Sequence, residues 1–122
     1  MKRLAVLFAV LLFVLVAFYG CSGCHKERSK IADKVPPTVP NGIAITAASF
    51  TEIKLSWKPS VDDSGEIKGY KIYKNGKYLK SVETTSVSDA GLPPKVKFCY
   101  RISAYDAAGN ESGQSTEVCA IL

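Results

Sequence analysis

The residues best suited to chemistry lie in one short run near the N-terminus, Cys21-Ser22-Gly23-Cys24-His25. Cys-x-x-Cys-His is the attachment motif of c-type haem: two thioethers hold the porphyrin, and the histidine ligates the iron. His25 is the single histidine of the chain and Met1 the single methionine, so no second strong axial ligand exists. The charged residues 26–30 offer no apolar pocket. A haem at Cys21, Cys24 and His25 is therefore kept as the alternative interpretation.

The same cysteines follow a segment with the features of an export signal. Lys2 and Arg3 precede an unbroken apolar run of 16 residues, 4–19, and small residues follow it. This arrangement is typical of a secretory signal, and the run is shorter than the roughly 20 residues of a stable membrane span. We predict a signal peptide over residues 1–20. The cysteines of an exported chain meet an oxidising compartment.

Gly20 directly before Cys21 resembles the bacterial lipoprotein signal, in which that cysteine becomes the lipidated first residue. Ser22-Gly23 before Cys24 offers a second match to the same pattern. The resemblance implies a lipid on Cys21, with Cys24 as the alternative, and a membrane anchor at the cell envelope facing the periplasm or the exterior. The third interpretation of this segment is a cleaved, soluble protein with free thiols or a Cys21–Cys24 disulfide.

The next residues predict a tether rather than a folded domain. Residues 21–35 are rich in charge, and Pro36, Pro37 and Pro40 follow. Such a composition has little apolar surface to bury, and the prolines favour extended polyproline geometry. We therefore place a tether at 21–35 and a single domain at 36–122.

The domain shows the two-residue period of half-buried strands. In 51–58 the apolar side chains alternate with polar ones, and the same holds around 98–104. Asn75-Gly76 between two such runs is a strong hairpin signal, because both residues tolerate positive φ. The pattern predicts seven strands and no helix beyond the signal. Those with definite limits are 41–48, 51–58, 69–74, 77–81, 84–88 and 115–122, and the sixth runs through 98–104.

The run LPPKVKFCYRISAYDAAGNES, 92–112, resembles the sixth strand of a fibronectin type III domain and the turn after it. Leu-Ser-Trp before Pro59 and Gly-Tyr-Lys-Ile-Tyr-Lys-Asn-Gly at 69–76 resemble its second and third strands. The resemblance covers 36–122 and implies an all-β, seven-stranded antiparallel Greek-key β-sandwich with sheets of three and four strands. Phe98 stands where the family usually has a tyrosine, so the corner hydroxyl is absent.

Two cysteines lie in the last two strands. If these strands pair across the 106–112 turn with an index sum of 218, Cys99 lies opposite Cys119 and Arg101 opposite Glu117. Opposed positions bring the β-carbons within reach of a disulfide. We predict a Cys99–Cys119 disulfide; free thiols or a metal are the alternatives, and a zinc site is disfavoured because the domain has no histidine.

Outward positions of the four-stranded sheet supply a candidate ligand face, which we define as Lys71, Tyr73, Arg101 and Tyr105. Exposed tyrosines beside cations can contact sugars or a protein partner. Ser103 is also predicted to point outward. The acidic loop with Asp62, Asp63 and Glu66 does not match a calcium loop and is interpreted as a turn, so no metal site is predicted.

Charge and residue types exclude other functions. The formal charge of +5 falls to about +3 without Lys2 and Arg3 and is spread along the chain, which disfavours nucleic-acid binding. No nucleophile and base form a catalytic set, so no enzymatic activity and no cofactor are predicted. The sequence indicates a non-catalytic binding or spacer module that presents a fibronectin type III domain to a protein or polysaccharide. The alternative is a c-type haem electron-transfer protein.

Overall fold

A computed structural model describes residues 32–122. The predicted signal peptide, most of the predicted tether, and the predictions for Cys21, Cys24 and His25 lie outside this range. No helix of the described part is long and apolar enough to cross a bilayer.

Residues 32–122 form seven antiparallel strands in two sheets, which confirms the predicted fold class. The three-stranded sheet has the order β1-β2-β5, and the four-stranded sheet has the order β4-β3-β6-β7. The strands are β1 Asn41–Ser49, β2 Glu52–Lys58, β3 Ile67–Lys74, β4 Lys77–Val82, β5 Ser86–Asp89, β6 Lys97–Asp106 and β7 Val118–Ile121.

The core fills the space between the two sheets. Alternation along β2, β3 and β6 sends every second side chain inward, as the sequence predicts. Trp57 packs edge-on against Tyr70 with 5.3 Å between the ring centroids, and the Tyr70 hydroxyl accepts a 2.9 Å hydrogen bond from the Ser60 backbone. Trp57 is therefore a core residue. The buried apolar residues are Ile53, Leu55, Trp57, Tyr70, Ile72, Leu92, Phe98, Tyr100, Ile102 and Ala104.

A polar contact joins the two sheets. The buried Tyr100 of β6 donates its hydroxyl to Asp89 Oδ2 of β5 at 2.8 Å, and Lys74 of β3 donates to the same oxygen at 2.9 Å. Burial and the hydrogen bond to Asp89 raise the pKa of Tyr100. Tyr100 thus joins β6 to β5 through its hydroxyl, whereas Phe98, two residues earlier on the same face of β6, has none.

Cys99 and Cys119 are paired opposite one another on β6 and β7 and form a disulfide, as predicted. The predicted contact of Arg101 with Glu117 also forms, at 3.4 Å. Closing a loop of 20 residues contributes roughly 3 kcal/mol to the free energy of unfolding on the chain-entropy model.

The last strand is shorter than predicted, because β7 begins at Val118 rather than at residue 115. Before β7, serine side chains take the place of the regular backbone hydrogen bonds between neighbouring strands. The backbone N–H of Ser115 donates to the Ile102 carbonyl at 2.8 Å, and the Ser115 hydroxyl accepts from the Ile102 N–H at 3.0 Å. Ser112 makes the same pair of bonds with Ala104 at 2.8 and 2.9 Å. The chain therefore follows β6 without the carbonyl pattern of a strand.

Candidate functional site

The candidate ligand face lies on the outer side of the four-stranded sheet. Register places Lys71 opposite Ser103 and Tyr73 opposite Arg101 on neighbouring strands β3 and β6. On the other side of β3, Tyr78 of β4 lies opposite Tyr73. A row of outward positions therefore crosses three strands of the sheet.

Glu111 is the centre of the hydrogen bonding on this face. After the turn, an isolated antiparallel β-bridge pairs Glu111 with Tyr105 of β6. Glu111 Oε2 accepts from Lys71 Nζ at 2.7 Å, and Oε1 accepts from the hydroxyls of Tyr73 and Ser103, each at 2.6 Å. One carboxylate from the turn thus gathers polar groups of β3 and β6.

These contacts alter the acidity of all three titratable groups. Partial burial alone would raise the pKa of Glu111, but hydrogen bonds from Lys71, Ser103 and Tyr73 outweigh it and lower this pKa to about 2. The hydrogen bond to Glu111 raises the pKa of Lys71, and burial together with Glu111 raises that of Tyr73. Glu111 is therefore an ionised, hydrogen-bonded group and a weak proton acceptor.

Tyr105 packs closely on the sheet beside this network. A Cβ on Gly69 would lie 2.7 Å from Tyr105 Oη and 2.8 Å from the Val82 carbonyl oxygen. The tyrosine ring therefore occupies the space that any larger residue at position 69 would need. Lys71 Nζ lies 5.6 Å from the centroid of the same ring, within the range of a cation–π contact.

The more exposed part of the face lies towards β4 and β7, and Tyr78 of β4, opposite Tyr73, extends the face beyond its four predicted residues. Tyr78 is 58% exposed, and its ring lies edge-on to Tyr73 with 6.1 Å between centroids. Arg101 is exposed and pairs with Glu117 at 3.4 Å, apart from the Glu111 network. Solvent-exposed pairs of this kind contribute little to stability, so the guanidinium can exchange partners at low cost.

The structure thus divides the four predicted residues into two groups. Lys71, Tyr73 and Tyr105 gather around Glu111, whereas Arg101 contacts Glu117. Ser103, expected to face solvent, is fully buried beneath Glu111. Sequence reasoning did not identify Glu111 or Tyr78. The signal for Tyr78 was its place two residues after Asn-Gly, where the hairpin sets it beside Tyr73.

The acidic loop between β2 and β3 does not gather its own three carboxylates. Asp62 is buried, whereas Asp63 and Glu66 are exposed. Asp62 Oδ2 accepts hydrogen bonds from the backbone and the hydroxyl of Ser64, which is the turn geometry that the sequence predicts.

The turn after β6 is held by Asp106, whose side chain is buried. Burial alone would raise its pKa, but bonds from the side chain and backbone of Asn110 and from the Ala108 and Gly109 backbones lower it. This turn presents Glu111 to the face described above.

The sequence model of the fibronectin type III domain matches residues 36–119. Chitinase Chi52 of Paenibacillus xylanexedens is 37% identical over 86 residues, which are 70% of this chain and 16% of that protein. Exoglucanase B of Cellulomonas fimi is 37% identical over 83 residues, 68% of this chain and 8% of that protein. The solved chitinase ChiA74 from Bacillus thuringiensis superposes with a TM-score of 0.64 at 29% identity, covering 73% of this chain and 14% of that one.

The chain therefore spans a small part of these relatives, and the shared part is the β-sandwich. The family match extends from the prolines before β1 into β7, across every strand of the structure. This chain belongs to the fibronectin type III family.

Proposed function

We propose that this chain is a non-catalytic module that presents a fibronectin type III domain at the bacterial cell envelope, anchored through a lipid on Cys21. The extent of the similarity carries the non-catalytic part of this proposal, and the anchor rests on the lipoprotein-like sequence at Gly20-Cys21. The matched segment is 16% of a chitinase and 8% of an exoglucanase, two enzymes named for different polysaccharides. A segment shared by enzymes of different specificity does not account for either reaction, so it fits an accessory role.

A polysaccharide is the partner that the candidate ligand face fits best, and it accords with the names of those relatives. Tyr78 and Tyr73 offer aromatic surface, and Arg101 lies on the strand beyond Tyr73. Tyrosine and arginine are enriched where surfaces bind, since each combines a large contact area with a polar end. Because Glu111 engages the polar ends of Lys71 and Tyr73, sugar contacts fall mainly to the Tyr78 ring and the Arg101 guanidinium.

Sedimentation with insoluble chitin and cellulose tests this proposal on the full-length chain in a neutral detergent. Truncating Tyr78 to alanine should lower the association constant roughly five-fold, the equivalent of about 1 kcal/mol of ring contact. Tyr78→Phe should bind like the wild type, because stacking needs the ring and not the hydroxyl.

Phe50→Ala is the matched control, since Phe50 is an 84% exposed aromatic residue next to the end of β1, in the other sheet. It should leave binding unchanged. Equal binding by Tyr78→Ala and the wild type would contradict a contact at this face. Wild-type protein that binds neither polysaccharide would overturn the polysaccharide partner and favour a protein partner or a spacer role.

A further inference from the structure

Three aspartates from separate parts of the sequence meet at one end of the sandwich. Asp33 precedes β1, Asp62 lies in the loop between β2 and β3, and Asp106 ends β6. One carboxylate oxygen of each lies within 4.8 Å of one oxygen of each of the others. Asp62 is 7% exposed and Asp106 is 2% exposed, while Asp33 is partly buried. Three carboxylates are thus held together, two of them buried and one partly buried.

Two oxygens of this cluster are buried without a hydrogen-bond donor. Asp62 uses Oδ2 for Ser64, and its Oδ1 has no partner. Asp33 accepts from the Val35 N–H at 3.0 Å through Oδ1, and its Oδ2 has none. Within residues 32–122, none of the three aspartates belongs to an ion pair. Buried carboxylate oxygens that lack a donor are costly, and a cation removes that cost.

Hydrogen bonds hold the three segments in place around the cluster. Asn110 Nδ2 donates to the Asp33 carbonyl oxygen at 2.9 Å and to Asp106 Oδ2 at 2.8 Å. Nearby, the Thr38 N–H donates to the Val61 carbonyl at 2.8 Å, and the Val61 N–H donates to the Thr38 hydroxyl at 2.9 Å. The segment before β1 is therefore fixed to the loop that carries Asp62 and to the turn that follows Asp106.

We propose that Asp33, Asp62 and Asp106 form a binding site for Ca²⁺. Calcium takes hard oxygen ligands at about 2.3–2.6 Å, so three oxygens within 4.8 Å of one another are close enough to share a single ion after small side-chain shifts. It tolerates irregular geometry from loops, whereas Mg²⁺ demands an ideal octahedron and keeps most of its waters. An affinity of roughly 10⁻⁴–10⁻³ M, typical of extracellular modules, suits this small ligand set. The ion joins the chain entering the domain to the β2–β3 loop and to the end of β6.

Thermal unfolding of the full-length chain in a neutral detergent tests the site. Protein stripped with EDTA should gain roughly 5–10 °C in Tm at a calcium concentration ten times Kd, and clearly less in the same concentration of MgCl2. Asp62→Asn should abolish this shift. In EDTA the variant should unfold at the wild-type temperature or above it, because one of three repelling charges is gone; a purely structural role for Asp62 predicts a lower temperature.

Asp63→Asn is the matched control, because it removes the same charge from an exposed neighbour in the same loop. It should keep the full calcium shift. If Asp62→Asn does not fold, Asp33→Asn is measured in its place, since Asp33 lies outside the strands. Equal Tm in calcium and EDTA, or a calcium shift that survives loss of Asp62 or Asp33, would overturn the site.

Discussion

At the scale of single residues, Glu111 determines what the candidate ligand face can offer. Its two oxygens accept from Lys71, Tyr73 and Ser103, so the polar atoms of three neighbours already have a partner within the domain. Charge-assisted bonds of this length are stronger than neutral ones and fix the donors in one geometry. Side chains that bind a partner through charge would first have to break these bonds. Contacts with a partner therefore fall to exposed rings and to Arg101, which lies outside the Glu111 network.

The Glu111→Gln substitution should make the free energy of unfolding less dependent on pH in the acidic range. The folded-state pKa of Glu111, about 2, lies below its ordinary value of 4.5, so its contribution is complete above pH 4.5 and is lost as the pH falls towards 2. Allowing for solvent screening of a side chain that is 30% exposed, the variant should lose roughly 1–2 kcal/mol at pH 7 and almost nothing at pH 2. Urea unfolding at pH 7, 4 and 2 measures this difference.

Glu117→Gln serves as the comparison, since Glu117 pairs with Arg101 at 3.4 Å and both side chains are nearly half exposed. Its loss should change the unfolding free energy by less than about 0.5 kcal/mol at any of these pH values. A Glu111→Gln deficit that stayed constant between pH 7 and pH 2 would show that Glu111 acts through its shape and not its charge.

Residue-level prediction from the sequence succeeded where alternation decides the outcome. Inward Trp57, Tyr70 and Ile72 follow from the strand period, and the structure buries them all. The role of Glu111 was not predicted, because this residue lies in a turn, where no strand period indicates the direction of a side chain. The aspartate cluster is not predictable for a related reason: the sequence groups Asp62 with its loop neighbours, while the carboxylates near it in space come from distant segments.

At the scale of elements, the register of β6 with β7 was predictable because two independent pairs agreed on it. Cys99 with Cys119 and Arg101 with Glu117 share one index sum, and both contacts form. The length of β7 was not predictable in the same way. Serine hydroxyls can accept hydrogen bonds in place of backbone carbonyls, and a hydrophobic pattern gives no sign of this replacement.

Ser115→Ala tests how much this substitute ladder stabilises the domain. The Ile102 N–H donates to the Ser115 hydroxyl inside the fold, so alanine leaves a buried donor without an acceptor. We expect a loss of about 2 kcal/mol in the free energy of unfolding, or a fall of roughly 10 °C in Tm. Differential scanning calorimetry of both proteins gives the value.

Ser56→Ala is the control for that variant, because Ser56 is an exposed serine of β2 whose hydroxyl takes no part in such a pair. It should shift Tm by no more than about 2–3 °C. If Ser115→Ala shifts Tm no more than Ser56→Ala, water or a rearranged backbone accepts the hydrogen bond of the Ile102 N–H. The serine bonds are then not needed to hold the chain against β6.

At the scale of the whole molecule, the domain joins a conventional sandwich to an entry segment that is itself bonded to the fold. Asp33 lies in the part of the chain predicted as a tether, yet its backbone carbonyl accepts from Asn110. The pattern of apolar residues predicts where a core begins. It does not reveal hydrogen bonds that hold a polar segment against that core. Asp33, which the sequence analysis assigns to the tether, thus contacts the domain through its backbone.

Intact mass and the visible spectrum of the mature protein from a bacterial membrane fraction test the predicted anchor. We expect a chain that begins at Cys21 and carries added acyl mass, because two or more acyl chains give stable membrane attachment. Cys21→Ser should release the protein from the membrane fraction or leave its signal uncleaved, whereas Cys24→Ser should behave like the wild type. If Cys24→Ser alone loses the lipid, the anchor lies at the second cysteine. A haem-sized mass increment with a Soret band would contradict the anchored module and make Cys21, Cys24 and His25 the functional site, with the sandwich as its carrier.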